Sequence, residues 1–131
     1  MKRDITKYIE NAKRIIDKHS LGEIGAYSRW LWQPEDDTKP RRDLGLNEYG
    51  CADAANILYM IGAFPAEANE RAAWVKVLQD LQQADTGLFV EETHHTIHTT
   101  AHCIAALELF ESKAKYPLTA LHKYLIGRAH V

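Results

Sequence analysis

Between residues 4 and 18 the apolar side chains Ile5, Tyr8, Ile9, Ala12, Ile15 and Ile16 recur at every third or fourth position, with Lys7, Glu10, Lys13, Arg14 and Asp17 between them. That spacing predicts a helix with one apolar face. Residues 20–33 place Ile24, Tyr27, Ser28 and Leu31 at helical spacing with Trp30 and Trp32 beside them. They predict a short aromatic helix, against which Gly22 and Gly25 work. Two prolines and the charges from Glu35 to Asp43 mark 34–45 as the one substantial loop, of a length that often carries function.

From 51 to 61 the pattern changes. Ala52, Ala54, Ala55, Ile57, Leu58, Tyr59, Met60 and Ile61 leave almost no polar face, so this helix is expected to be buried on most sides. Gly62 and Pro65 end it, and 66–83 returns to a stripe of Trp74, Val77, Leu78 and Leu81 opposite Glu67, Glu70, Arg71, Lys76 and Asp80. After a break at Asp85-Thr86-Gly87, residues 99–110 form the second apolar helix, with Ala101, Cys103, Ile104, Ala105, Ala106, Leu107, Leu109 and Phe110. Pro117 opens a last short helix bearing Leu118, Leu121 and Leu125. No segment alternates with period two, so the fold class is all-α.

The two apolar helices align as copies. Ala54-x-x-Ile57-x-x-Met60 matches Ala101-x-x-Ile104-x-x-Leu107 at an offset of 47, and Gln33-Pro34-Glu35-Asp36 matches Gln82-Gln83-Ala84-Asp85 at an offset of 49. This suggests a repeat of nearly fifty residues, each unit a one-sided helix, a turn or loop, and an apolar helix. The alternative is that two buried helices align this well by chance. This is a single domain, 1–131, of repeated antiparallel helical hairpins.

Composition narrows the partners. The length suits one domain, and a formal net charge of −2 offers no pull towards nucleic acid or acidic membranes. No apolar run approaches the roughly 18 residues of a membrane span, and Met1-Lys2-Arg3-Asp4 leads into an amphipathic stretch, not a signal-peptide core. A cytoplasmic protein with neither nucleic-acid nor membrane partner is expected. Cys51 and Cys103 lie in apolar helical patterns and are expected to be free, buried thiols.

The stretch Leu78-x-x-Leu81-Gln82-Gln83-Ala84-Asp85-Thr86-Gly87-Leu88-Phe89, followed by an acidic, His-rich turn into His98-Thr99-Thr100-Ala101-His102-Cys103-Ile104-Ala105-Ala106-Leu107, resembles a unit of the α/α toroid enzymes. These include terpenoid cyclases, protein prenyltransferases, glycoside hydrolases and polysaccharide lyases. The likeness covers 46–110 and partly 24–33. It implies an outer helix ending in a Gln and a Gly-aromatic turn, and an inner helix with ligand-facing residues at its N-terminus. The chain lacks the Asp-x-Asp-Asp motif of the cyclases and the Asp-x-Cys pair with distant His of the prenyltransferases, so neither chemistry carries over. About two and a half hairpins fall short of the five to seven of a closed toroid. The resemblance therefore implies an arc, the remainder of which is either further along a longer chain or supplied by a homo-oligomer.

Four of the seven histidines fall between Glu91 and His102. His94 with His98, or His98 with His102, lie four apart and could grip zinc or iron, with His95 nearby and Asp53 or Cys51 completing a site. However, His-Glu-x-x-His is absent and Glu92-x-x-His95 occurs once where a di-iron bundle uses two. No metal ligand is assigned and no cofactor is identified. Locally, Thr93 or Thr96 would cap the helix and His102 would be hydrogen-bonded in the core.

With the apolar helices parallel, Glu48, Tyr49 and Asp53 share one end with the histidines, in first turns roughly 10 Å apart as packed neighbours are. Helix dipoles there favour anions. Asp53, His95 and His98 are the candidate acid/base residues. Glu48, Tyr49, Glu92 and His94, with Trp30 and Trp32 as stacking platforms, are the candidate contacts for a small-molecule or oligosaccharide ligand. Asp53 equally suits a first-turn residue complementing the dipole, and the tryptophans equally suit a core. A hydrolase- or lyase-like carbohydrate-active enzyme, or a related small-molecule enzyme, is one expectation. A non-catalytic repeat module that binds a protein and a His-cluster metal protein are the others.

Overall fold

The computed structural model describes residues 2–122. Its helices are α1 (Thr6–His19), α2 (Glu48–Met60), α3 (Ala68–Asp80) and α4 (Thr96–Leu109), followed by a 3-10 turn at Thr119–Leu121. The fold class is all-α. Only two isolated bridges, Ser20 with Tyr27 and Ser28 with Leu46, have strand-like pairing among the described residues.

Those bridges replace the expected aromatic helix at 20–33. Gly22 and Gly25 adopt φ of 93° and 81°, which right-handed helix does not allow. The chain instead turns back, with Leu21 N–H donating to Ala26 O and Ser28 N–H to His19 O. Ala26 is buried and Tyr27 stacks on Trp74 at 5.2 Å, whereas Ile24, Leu31 and Trp32 stay exposed. Of the helix expected after Pro117, the described residues hold the 3-10 turn that carries Leu121, and Leu125 lies outside the described residues.

The centre of the domain is the α2–α4 seam. Cys51, Ala52 and Ala55 of α2 and Cys103, Ala106 and Leu107 of α4 have no solvent exposure. Small side chains on α2 let the two backbones come close, and the Cys103 Sγ sits 3.6 Å from the Glu48 carbonyl. On another side of α2, Gly50 is required by the close approach of the 20–33 segment, since a Cβ there would lie 2.6 Å from the Ser28 carbonyl. The helices run parallel: Asn47 and Tyr49 meet Glu91 and His94 at one end, and Phe64 meets Phe110 at 4.5 Å at the other. From that second end, where Arg71 lies over Phe64 and Phe110, α3 runs back, its Trp74 stacked on Phe110.

Neither α2 nor α4 is enclosed on all sides. Ile57, Tyr59 and Met60 of α2 and Ile97, Ala101 and Ala105 of α4 are exposed. Helix α1 buries Ile16 and half-buries Ile9 and Ala12, but Ile5, Tyr8 and Ile15 face outward. An apolar surface thus extends across α1 and α2, where Ile15 and Ile57 line one cleft.

Two glutamines act alike. Gln33 donates its amide to the Arg42 carbonyl and accepts from Arg42 N–H at 2.9 Å. Gln82, buried, does the same to Tyr116, with both bonds at 2.8 Å. Gly87 lies beneath this second clasp, where a Cβ would meet the Pro117 carbonyl at 2.0 Å.

Candidate functional site

The first turn of α2 is set by Asn47, whose side chain accepts from Gly50 N–H at 3.0 Å as a helix cap does. At the head of α4 the cap is His95, its Nδ1 accepting from Ile97 N–H at 3.3 Å. Neither Thr93 nor Thr96 takes that role. Thr93 instead bonds Glu91 and Arg29, and Thr96 is the first helical residue.

The caps stand 48 residues apart, and the left-handed residues that follow the helices, Gly62 and Glu111, stand 49 apart. An offset of 47 is overturned by burial. It equates Cys51 with His98 and Asp53 with Thr100, yet in each pair one residue is buried and the other exposed.

Behind the caps, Glu91 is a buried carboxylate with three partners. Arg29 donates to it at 2.7 Å, Asn47 at 3.3 Å and Thr93 at 2.8 Å. It is thereby committed to joining the 20–33 segment, the cap of α2 and the approach to α4.

In front, side chains form a stacked series. Arg42 lies between Trp32 and Trp30, its guanidinium carbon 4.3 and 4.2 Å from the two ring centres. Arg29 lies 5.0 Å from the Trp30 centre and 4.9 Å from that of Tyr49. Tyr49 in turn packs on His94 at 4.5 Å and His102 at 4.8 Å. His94 bonds His98 ring to ring at 3.0 Å, and His102 Nε2 meets Asp53 Oδ1 at 2.6 Å. Asp53 is half exposed and His102 about a quarter exposed, so the pair is open to a ligand.

Of the candidate residues, Tyr49, His94 and His98 thus come together, and Asp53 joins them through His102. His95 is drawn off as the cap. Glu48 is half-buried and shares a cavity with Glu92, Glu91, Asn47 and Thr93. Burial holds its carboxyl above the usual range, opposed in part by its own backbone N–H and reinforced by the charges of Glu91 and Asp43. Trp30 and Trp32 are occupied by Arg42, so a sugar ring cannot enter between them. Asp53 also borders a cleft of about 140 Å³ lined by Ile15, Ile16, Arg29, Ala54 and Ile57 among others.

His102, expected as a hydrogen-bonded core residue, is hydrogen-bonded but to Asp53 and about a quarter exposed, and nothing in the sequence pairs it with that carboxylate. Arg29 and Arg42 carry no signal either, since an arginine beside tryptophans is common on any surface. Among the described residues no three His, Cys, Asp or Glu side chains converge as metal ligands, and no helix is long and apolar enough to cross a membrane. Comparison with known protein families, characterised proteins and solved structures returns no match for this chain.

Proposed function

We propose that the chain is an arc of α/α hairpins whose polar end binds a polyhydroxy small molecule or oligosaccharide and performs acid–base chemistry on it, as a hydrolase- or lyase-like enzyme. The carrying observation is the Asp53–His102 contact at 2.6 Å on adjacent parallel helices, beside an open cleft. A carboxylate that accepts from Nε2–H orients the imidazole and leaves Nδ1 free to take a proton from a ligand hydroxyl. Tyr49 supports the ring from one side. The matching caps, the two glutamine clasps and the left-handed residues after α2 and α4 support the arc.

Tryptophan fluorescence during oligosaccharide titration tests this reading, because Trp30 is coupled through Arg29 to Tyr49. A saccharide-dependent change is expected, and with the ligand so found Asp53→Asn and His102→Gln should each reduce turnover while leaving the melting temperature near that of the parent. Turnover unaffected by both substitutions would overturn the acid–base assignment.

A second reading is a module that binds a protein, or a further copy of itself, through the exposed Ile5, Tyr8, Ile15, Ile57 and Met60. Exposed apolar patches of this kind mark interaction surfaces. Silence towards saccharides, together with self-association in sedimentation that Met60→Lys abolishes, would favour it.

A further inference from the structure

Arg42 is held more firmly than an arginine in a loop needs to be. Its backbone is clasped at both N–H and C=O by the Gln33 amide, and its guanidinium is gripped between Trp30 and Trp32. Among the described residues its side chain nevertheless makes only one hydrogen bond, a long one of 3.5 Å to the Trp32 carbonyl.

Among the described residues no carboxylate lies within ion-pair distance of Arg42, Lys39 or Arg41. These three cations, with Trp30, Pro34, Pro40 and Thr93, line a cavity of about 240 Å³ that has no acidic side chain on its wall. Lys39 and Arg42 also line an adjoining cavity with Glu35 and Asp36, and Arg41 lines one with Asp43, Glu48, Glu91 and Glu92, but none of these carboxylates reaches ion-pair distance of the three cations. Asp36 is engaged by the backbone and hydroxyl of Thr38. Trp30 adds a second, independent anomaly: its indole N–H is buried and has no acceptor among the described residues. Buried donors are nearly always satisfied, so this one marks the Trp30 side of the cavity as a place where polar groups are left over.

We propose that Arg42, with Lys39 and Arg41, is the receptor for an oxyanion group, a carboxylate or a sulfate ester, on the saccharide. A planar guanidinium fixed on two faces keeps its edge for a two-pronged bond to such a group, which loses little freedom on binding. Thr93 joins this cavity to the Asp53–His102 end, since it also bonds Arg29. The proposal rests on the saccharide reading and adds that the ligand is acidic.

The test is a fluorescence titration with trigalacturonate, its full methyl ester and a sulfated galactose trisaccharide. Trigalacturonate, the sulfated sugar or both should bind, more weakly as salt is added, and the uncharged ester about 10-fold or more weakly than the acid. Which of the two anions binds more tightly identifies the group. Arg42→Gln should weaken binding of the preferred acidic sugar about 10- to 100-fold, and Arg42→Lys, which keeps the charge but not the fork, by less. Should Arg42→Gln unfold the loop, Lys39→Gln combined with Arg41→Gln must show the same loss.

Equal binding of acid and ester, or an affinity unmoved by these substitutions, would overturn the proposal. If the ester binds as tightly as the acid and Asp53→Asn weakens both, the saccharide reading stands and the Arg42 receptor falls. If no sugar binds, both fall.

Discussion

Arg29 and Glu91, sixty-two residues apart in the chain, meet at 2.7 Å with the carboxylate almost wholly buried. This contact, with the bonds from Asn47 and Thr93, ties together the three segments that present the candidate site. Removing one partner of a buried pair leaves the other uncompensated. Glu91→Ala should therefore lower stability by about 3 kcal/mol, toward the low end for such pairs because Arg29 keeps some solvent contact. Glu91→Gln, which retains an acceptor, should lose less. Urea denaturation of both variants provides the measurement, and a loss below about 1 kcal/mol for the alanine would show that the pair does not hold the site together.

The alanines of the inner helices are not equivalent. Ala54 is buried against the core, whereas Ala105 is exposed on the outer side of α4. The apolar pattern alone assigns both to the interior. Ala54→Asp should unfold the domain or melt it far below the parent temperature, since a lone buried carboxylate costs several kcal/mol. Ala105→Asp should change stability by no more than about 0.5 kcal/mol, as surface substitutions do. Thermal melts of the two variants distinguish a seam on one side of α4 from a helix buried all round.

Both cysteines are free and buried. Burial pushes the Cys51 thiol up to about 11, against two backbone hydrogen bonds that lower it, and raises Cys103 further still. The thiolate is the reactive form. Native protein at mildly alkaline pH should consequently react slowly with a disulfide reagent, and urea should expose both thiols together. Fast labelling of either one in the native state would contradict the seam.

Glu48 supplies a pH dependence. Burial holds its carboxyl above the unfolded value, so the folded protein favours the protonated form. The associated stabilisation is complete below the unfolded pKa and is lost as pH rises through the higher, folded one. Glu48→Gln, neutral throughout, should be more stable than the parent at neutral pH and show no such advantage at acid pH where Glu48 is protonated. Denaturant midpoints at the two pH values give the comparison. An advantage of the same size at both would place its origin in packing and not in charge.

The all-α class and four of the helices were legible in the spacing of apolar positions, because packing helices against a core leaves that periodicity in the chain. The segment 20–33 was not. Its aromatic and aliphatic residues keep helical spacing, but two glycines with positive φ redirect the backbone, and propensity yielded to tertiary pairing with His19 and Leu46. Likewise, unbroken apolarity in α2 and α4 was read as complete burial. Ile57, Met60 and Ile97 are apolar yet exposed, and composition cannot say which side of a helix a neighbour covers. At the site, Tyr49, Asp53 and the histidines were identifiable as residues at one end. Their actual pairings depend on how α2 and α4 are rotated against each other. The caps and the burial pattern of the two helices align at an offset of 48, not 47, and one residue of slip turns a side chain by more than a quarter of a revolution.

The Cys103 thiol against the Glu48 carbonyl has a consequence at the surface. The two helices can approach only as far as that sulfur, together with Ala52 and Ala55, permits, and Asp53 and His102 are carried on those same helices. Their separation is therefore gauged from inside the protein. A single added methyl group at the seam would be transmitted outward as a stretched or broken hydrogen bond between acid and imidazole, with neither side chain altered. The tolerance of the site is the tolerance of three small core residues, and drift at those positions would act on the polar end as a change in calibration.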